Sequence, residues 1–407
     1  MAIDLEIPRK FEQLVDQAHT VAVEVLRPIS RKYDEAEHEY PKELDMLAAL
    51  IDGLDEGGGA SGAGAAGVSQ AQTNGANGEG GNRNGSNMAS VLSIIEMCWG
   101  DVGLLLTMPR QGLGNSAIAA VADDEQKERF AGKWAAMAIT EPEAGSDSAA
   151  IRTTAVLDGD DYVLNGEKIY VTAGERADLV VVWASLDPEQ GRAAIKSFVV
   201  ERSNPGLKLD RLEHKLGIRA SDTAAFILDD CRVPKKNLLG DAEIDTKKSF
   251  AGAMRTFDNT RPLVAAMAVG LTRASIERTT ELLADAGVTV DPDVPAGRQS
   301  AAAAELLAME ADYEAARLLT MEAAWMADNG KPNSLHASYA KAKAGRTCVD
   351  VALRCVALTG AAGLGEDELL EKWARDAKIL DIFEGTQNIQ LLIIARQLLG
   401  LTSAELK

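Results

Sequence analysis

The sequence predicts an α+β protein in which two helical regions flank a middle segment of strands. Three observations carry this. Apolar residues recur at helical spacing in the first third and again from about residue 249 onward. Between roughly residues 138 and 234 the period changes to short strand-like runs separated by Gly, Pro and Asp turns. A chain of 407 residues with 46% hydrophobic content is ample for two or three domains with real cores. The expected division is an N-terminal helical domain (1–135), a middle β domain (136–245) and a C-terminal helical domain (246–407). Helices, then strands, then helices is a layered arrangement around a small barrel or sandwich.

In order, Phe11, Leu14, Val15, Ala18, Val21, Ala22 and Val25 mark a first helix, with Pro28 near its end. Residues 53–87 change character. Twelve of those thirty-five are glycine and apolar anchors are almost absent, so a flexible low-complexity insertion is expected, an unfolded excursion or a mobile lid. Helical pattern resumes from Met88 through Arg129. Thr153 to Leu157 and Tyr162 to Thr172, joined by Asp158-Gly159-Asp160-Asp161, read as a hairpin. Leu179 to Leu186, Ala194 to Glu201 and Ala224 to Leu228 read as further strands, with Asn204-Pro205-Gly206 and Asp229 to Pro234 as turns.

Charge and composition exclude several functions. A net charge of −20 disfavours non-specific nucleic-acid binding, which needs basic surface. No apolar run reaches membrane-spanning length and no leader opens the chain, so a cytoplasmic setting is expected. Cys98, Cys231, Cys348 and Cys355 form no close metal-type pair and are expected as buried free thiols. His19, His38, His214 and His336 are scattered, which predicts no metal centre.

The most informative segment lies near the C-terminus. Ile379, Leu380, Ile382 and Phe383 precede Glu384, and Ile389, Leu391, Leu392 and Ile393 follow it. A carboxylate between two buried helical runs is desolvated, and desolvation raises its pKa. Gly385 lets the backbone leave the helix and lets a ligand approach. From spacing alone, a helix ending in an ordinary solvated glutamate remains open. The run Ile139-Thr140-Glu141-Pro142-Glu143-Ala144-Gly145-Ser146-Asp147 turns through proline and glycine and presents hydroxyls and backbone N–H groups, which suit a ring edge or a phosphate; a plain polar turn fits as well.

These segments resemble the signatures of the acyl-CoA dehydrogenase family across nearly the whole chain. Arg375 to Ile379 followed by Phe383-Glu384-Gly385-Thr386 is similar to the family's R-D-A-K-I and Y/F-E-G-T run, which makes Glu384 the expected catalytic base. Residues 139–147 resemble the T-E-P-x-A-G-S-D loop. The resemblance puts Ile139 and Thr140 at the flavin's pyrimidine edge, and Ser146 at its pyrophosphate and near substrate. Asn165 to Gly174 resembles N-G-x-K-x-W-I-T-N-G, with Tyr170 where tryptophan usually covers the flavin and Thr172 at the position that approaches N5. Thr386 and Asn388 are implied on the FAD side, and Gly385 on the substrate side. His214 to Thr223 resembles K-x-G-x-R-x-S-D-T, which puts Arg219 near the acyl-CoA channel, although a surface loop with a buried ion pair explains it too. Phe257 to Pro262 resembles F-D-x-T-R-P, implying substrate contacts for Asp258 and Arg261 at the CoA end. Some relatives carry their base on that helix, where this chain has Thr260. The implied fold is an N-terminal helical domain, a middle β-barrel or sandwich and a C-terminal four-helix bundle. The implied activity is FAD-dependent α,β-dehydrogenation of an acyl-CoA, with electrons passed to an electron-transfer flavoprotein. A non-catalytic partner subunit and an oxygen-using oxidase or monooxygenase on the same fold are the alternatives.

The chain also departs from the pattern. The family's R-x-x-F-G motif, which reaches a neighbour's FAD, would fall at residues 288–292, where Val288 replaces the arginine and Asp291 the phenylalanine. Ala357 and Asn388 replace two glutamines. An acidic loop beside a pyrophosphate repels it. The resemblance therefore implies an α2β2 hetero-oligomer whose second dehydrogenase-like chain supplies the missing groups, with a homo-oligomer as the other possibility.

Overall fold

The computed structural model describes residues 7–48, 83–109, 113–244, 251–401 and 405, excepting the side chains of 251–259. Most of the glycine-rich insertion, 53–82, lies outside the described residues.

The first helix is longer than its pattern suggested. Helix α1 (Glu12–Val21) passes through a π-helical stretch, Ala22–Leu26, into α2 (Arg27–Glu35), so Pro28 sits inside the rod and does not end it. Proline cannot donate to the preceding turn, and wider π hydrogen bonding is a known way to absorb such a defect. Helix α3 (Ser86–Gly100) is apolar almost all round, and its residues 90–98 are all buried, as expected for a helix enclosed by others. Its exposed amides are capped from another element: Asp328 accepts from Gly85, Asn87 and Met88 N–H groups. Three short helices follow: α4 (Val102–Thr107), α5 (Leu113–Val121) and α6 (Asp124–Phe130).

The middle segment is one curled seven-stranded sheet. Its strands are β1 (Ala135–Ala138), β2 (Thr154–Asp158), β3 (Asp161–Thr172), β4 (Leu179–Ser185), β5 (Ile195–Glu201), β6 (Leu207–Leu212) and β7 (Thr223–Pro234). The spatial order is β1-β4-β2-β3-β7-β6, with β5 also on β4. The expected β2–β3 hairpin forms across Gly159-Asp160. β4 is buried on both faces: Val180, Val182 and Ala184 point into one apolar cluster, Leu179, Val181 and Trp183 into another with Ala117 and Ile118 of α5. That explains its unbroken apolar run. Strand β6 was not expected. Nor is Asp229 to Pro234 a turn; β7 runs on through it.

The C-terminal region is a bundle of α7 (Ala251–Asp285), α8 (Ala301–Asp328), α9 (Ser334–Thr359), the short α10 (Ala361–Leu364), α11 (Leu370–Leu380) and α12 (Gln387–Leu399). Its core is continuous with that of the N-terminal helices. All four cysteines are buried and free, as expected.

Candidate active site

Helix α11 delivers the chain to Glu384, and polar groups at its centre are fixed before it arrives. Arg375 binds Asp34 of α2 through both terminal nitrogens, at 3.0 and 2.5 Å, and donates to the Leu216 carbonyl at 3.0 Å. Asp376, fully buried, forms an ion pair with Lys372 at 2.7 Å and accepts from the Ile218 N–H. Lys372 also pairs with Asp101, whose other oxygen caps α4 at Leu104. Burial pushes the Asp376 carboxyl up, opposed chiefly by Lys372. The loop is pressed against the helix: a Cβ on Gly217 would lie 2.4 Å from the Arg375 carbonyl carbon. The Arg-Asp pair of the signature is thus a clamp joining the N-terminal helices, the sheet domain and the bundle.

Beyond α11 the backbone turns sharply. Glu384 has φ +56° and Gly385 φ +90°. A left-handed glutamate is uncommon, and such residues concentrate at functional sites. The loop is held from three sides. Thr260 of α7 donates to Glu384 Oε2 at 2.6 Å. Gln390 Nε2 of α12 donates to the Glu384 and Gly385 carbonyls at 3.2 and 3.1 Å. Lys341 Nζ of α9 donates to the Gly385 carbonyl at 2.7 Å. Burial holds the Glu384 carboxyl above its ordinary range, against the Thr260 hydrogen bond and the charges of Arg261 and Lys341. Burial likewise brings Lys341 down to about 8, opposed by Asp381 and Glu384.

Glu384 is half-buried and bonded to Thr260, so it is not a freely solvated helix-end glutamate. Arg261, expected at a ligand's far end, is buried with its charge acting on Glu384. Thr260, unsuitable as a base, is the hydroxyl donor to that carboxylate. Neither Lys341 nor Gln390 was expected. Thr386 caps α12, accepting from the Ile389 N–H at 3.5 Å, and Asn388 is exposed. The side chain of Asp258 lies outside the described residues.

A second constellation forms on the sheet. Lys168 of β3, fully buried, reaches Glu141 at 2.6 Å and the Ile139 carbonyl at 3.1 Å. Glu141 also accepts from the Arg152 and Thr153 N–H groups and the Thr153 hydroxyl. Burial lowers Lys168 to about 8 against the pull of Glu141. This pair fixes the 139–147 loop to β3, and Ile169 N–H donates to the Thr140 carbonyl at 2.9 Å. Just beyond, the β3–β7 register shifts between Lys168 and Val171, and Tyr170 takes φ +58°. The shift throws the Tyr170 side chain outward, 63% exposed, beside the half-buried Thr140 and with half-buried Thr172 following. An exposed aromatic face on β3, next in the fold to a loop pinned by a buried ion pair, fits a planar ring with a hydrogen-bonding edge. Ser146 is exposed at the loop's far end. Among the described residues no hydrogen bond joins this constellation to Glu384.

Arg219 pairs with Glu37 at 3.4 Å, the ion-pair alternative that its loop left open. The histidines are less scattered than the sequence suggests: Glu37, His38 and His214 each place a ligand-type atom within 4.8 Å of the others. Glu37 already accepts from His214, the Lys215 N–H and Arg219, so a cation would compete with Arg219 there. Among the described residues no helix is long and apolar enough to cross a membrane.

Each constellation falls within a segment that matches a known protein family. Residues 136–231 match the family model described as acyl-CoA dehydrogenase, middle domain, and residues 250–399 the one for its C-terminal domain. The short-chain specific acyl-CoA dehydrogenase of Clostridium acetobutylicum is 34% identical over 315 residues, covering 75% of this chain and 80% of that protein. The acyl-CoA dehydrogenase of Bacillus subtilis is 36% identical over 305 residues, 74% of this chain and 78% of that one. The solved structure of butyryl-CoA dehydrogenase from Megasphaera elsdenii superposes with a TM-score of 0.81 at 30% identity, over 98% of this chain and 100% of that one.

Proposed function

The chain belongs to the acyl-CoA dehydrogenase family of FAD-dependent oxidoreductases, and from that premise we propose that Glu384 removes the α-proton of an acyl-CoA thioester to give the trans-2-enoyl-CoA. The observation that carries this is the Glu384 carboxyl itself. It is held on a left-handed backbone, bonded to the Thr260 hydroxyl and raised by burial, ahead of a glycine that is also left-handed.

The α-hydrogen of a thioester is a weak acid, so the base must be ionised at working pH yet basic enough to take the proton. Burial supplies the basicity, while Thr260, Arg261 and Lys341 keep the ionised form accessible. The Glu384 N–H has no acceptor among the described residues, which suits a donor to the thioester carbonyl as enolate charge develops. Bound FAD supplies the acceptor for the β-hydride. Thr140, Ser146, Tyr170 and Thr172 would hold its flavin and pyrophosphate, Tyr170 covering one ring face with less area than tryptophan. Gly385 and Arg261 would border the substrate, with Asp258, Thr386 and Asn388 further candidates by family likeness.

The loop between α7 and α8 supports a hetero-oligomer. Asp291 and Gln299 close it on itself, Asp291 N–H to Gln299 Oε1 at 2.9 Å and Gln299 Nε2 to the Asp291 carbonyl at 2.8 Å. Asp291 and Asp293 are exposed where a neighbour's pyrophosphate would need a cation. A second dehydrogenase-like chain supplying that cation completes the site, and an electron-transfer flavoprotein accepts the electrons. The test is to give the FAD-loaded protein, purified with its partner chain, a panel of acyl-CoAs of differing chain length without oxygen and to look for flavin bleaching with enoyl-CoA product. Absence of both across the panel, with FAD bound, would overturn the proposal; peroxide formed in air would favour an oxidase.

A further inference from the structure

We infer that Lys341 is a positioning residue for this reaction, one that fixes the Glu384–Gly385 turn through the Gly385 carbonyl and sets the charge against which Glu384 works. The inference rests on the reading of Glu384 as the base.

Lys341 is fully buried on α9, in the middle of an Ala-Lys-Ala-Lys run. Its neighbour Lys343 binds Asp312, an ordinary partly exposed pair. Lys341 instead points its ammonium at a backbone carbonyl 44 residues away, at 2.7 Å. Burying a lysine is costly unless its charge has a use nearby. Among the described residues, helix α7 contributes Thr260 and Arg261 to the surroundings of Lys341 and Glu384, α9 contributes Lys341 and Arg346, and the turn contributes Asp381 and Glu384 itself. The α12 residue that touches the turn, Gln390, is neutral. Asp381 is met by Arg346 at 3.4 Å, and among the described residues Lys341 and Arg261 are the cations acting on Glu384.

The mechanical role is separable from the charge. Gln390 and Lys341 both donate to the Gly385 carbonyl, from opposite helices, α12 and α9. That peptide, Gly385–Thr386, closes the turn one residue past the left-handed glutamate, so holding it restrains the turn that carries the Glu384 carboxylate. A misplaced base loses rate far more than binding.

Three variants separate the contributions. Lys341→Met removes donor and charge, Lys341→Gln retains a donor without charge, and Lys341→Arg retains both. For Lys341→Met the expected result is a fall in kcat of about tenfold or more with KM changed by less than about threefold. The acid limb of kcat/KM should move to higher pH. Lys341→Gln should show the same shift of the limb with a smaller loss of kcat, and Lys341→Arg should restore the limb. Independently of turnover, a 13C-carboxyl titration of Glu384, assigned by the signal missing in Glu384→Gln, should move upward in both uncharged variants. If Lys341→Met fails to fold, the Lys341→Gln titration decides. An unmoved acid limb and an unmoved Glu384 titration in a folded uncharged variant would overturn the inference. Turnover surviving in Glu384→Gln would instead overturn the base assignment on which it rests.

Discussion

Replacing Gly385 by alanine attacks the turn that aims the base. At φ +90° a side chain is strained, at about 1–3 kcal/mol for a non-glycine residue in such a region. A Cβ there would also lie 2.5 Å from Gln390 Nε2, too close for any real contact. Gln390 is fully buried, and moving its amide breaks its bonds to the Glu384 and Gly385 carbonyls. Each is worth about 0.5–1.5 kcal/mol net. The sum is roughly 2–6 kcal/mol, a large share of the ~5–15 kcal/mol that holds a typical domain together. The assay is chemical denaturation of Gly385→Ala beside Gly297→Ala, a glycine with open space around it and no positive φ. Gly297→Ala should fall within about 0.5 kcal/mol of wild type. Gly385→Ala should be strongly destabilised, and the fraction that folds should turn over poorly because the carboxylate is displaced. Wild-type stability and turnover in Gly385→Ala would refute the reasoning.

Thr260→Val keeps the shape and removes the hydroxyl that favours the ionised carboxylate, so the acid limb of kcat/KM should move to higher pH; an unchanged limb would show that the 2.6 Å bond does not tune the base. Glu384→Gln should stabilise the fold near neutral pH. The folded-state pKa lies above the unfolded one, so the ionised carboxyl weakens the native state above its folded pKa, and the penalty vanishes below the ordinary value of 4.5. Thermal midpoints across that range should converge at the acid end and separate as pH rises; equal midpoints throughout would contradict the burial argument. Expressed alone, the chain should purify with FAD well below one per protomer, and a partner carrying the missing cation should restore it; tight stoichiometric FAD without one would refute the hetero-oligomer.

The sequence made Glu384 legible because an interrupted apolar helix leaves a strong local signature, and the family likeness extended it to Thr140 and Tyr170. Lys341 was not legible. In an alternating Ala-Lys run nothing distinguishes the buried lysine from the partly exposed Lys343, and its partner lies in a turn 44 residues away. Thr260 was dismissed for what it cannot do as a base, while its role depends on a contact 124 residues away. Strand β1 is only faintly marked in sequence because Ala-Ala-Met-Ala has little strand preference of its own; pairing with β4 makes it one. In β6 the alternation stops after Leu207 and Leu209, and a register shift between Leu209 and Arg211 returns Leu212 to the same apolar cluster, next to a turn signal. Pro28 was read as a stop because local chemistry says so, and only the packed π-helical stretch shows how the helix continues through it.

The central claim is that Glu384 removes the α-proton. Its most direct test is α-hydrogen exchange with deuterated solvent in an acyl-CoA bound to Glu384→Gln and to wild-type holoprotein. Losing one positioned base should slow the exchange by about 10²–10⁴-fold while FAD and acyl-CoA binding persist. Exchange at the wild-type rate in Glu384→Gln would contradict it.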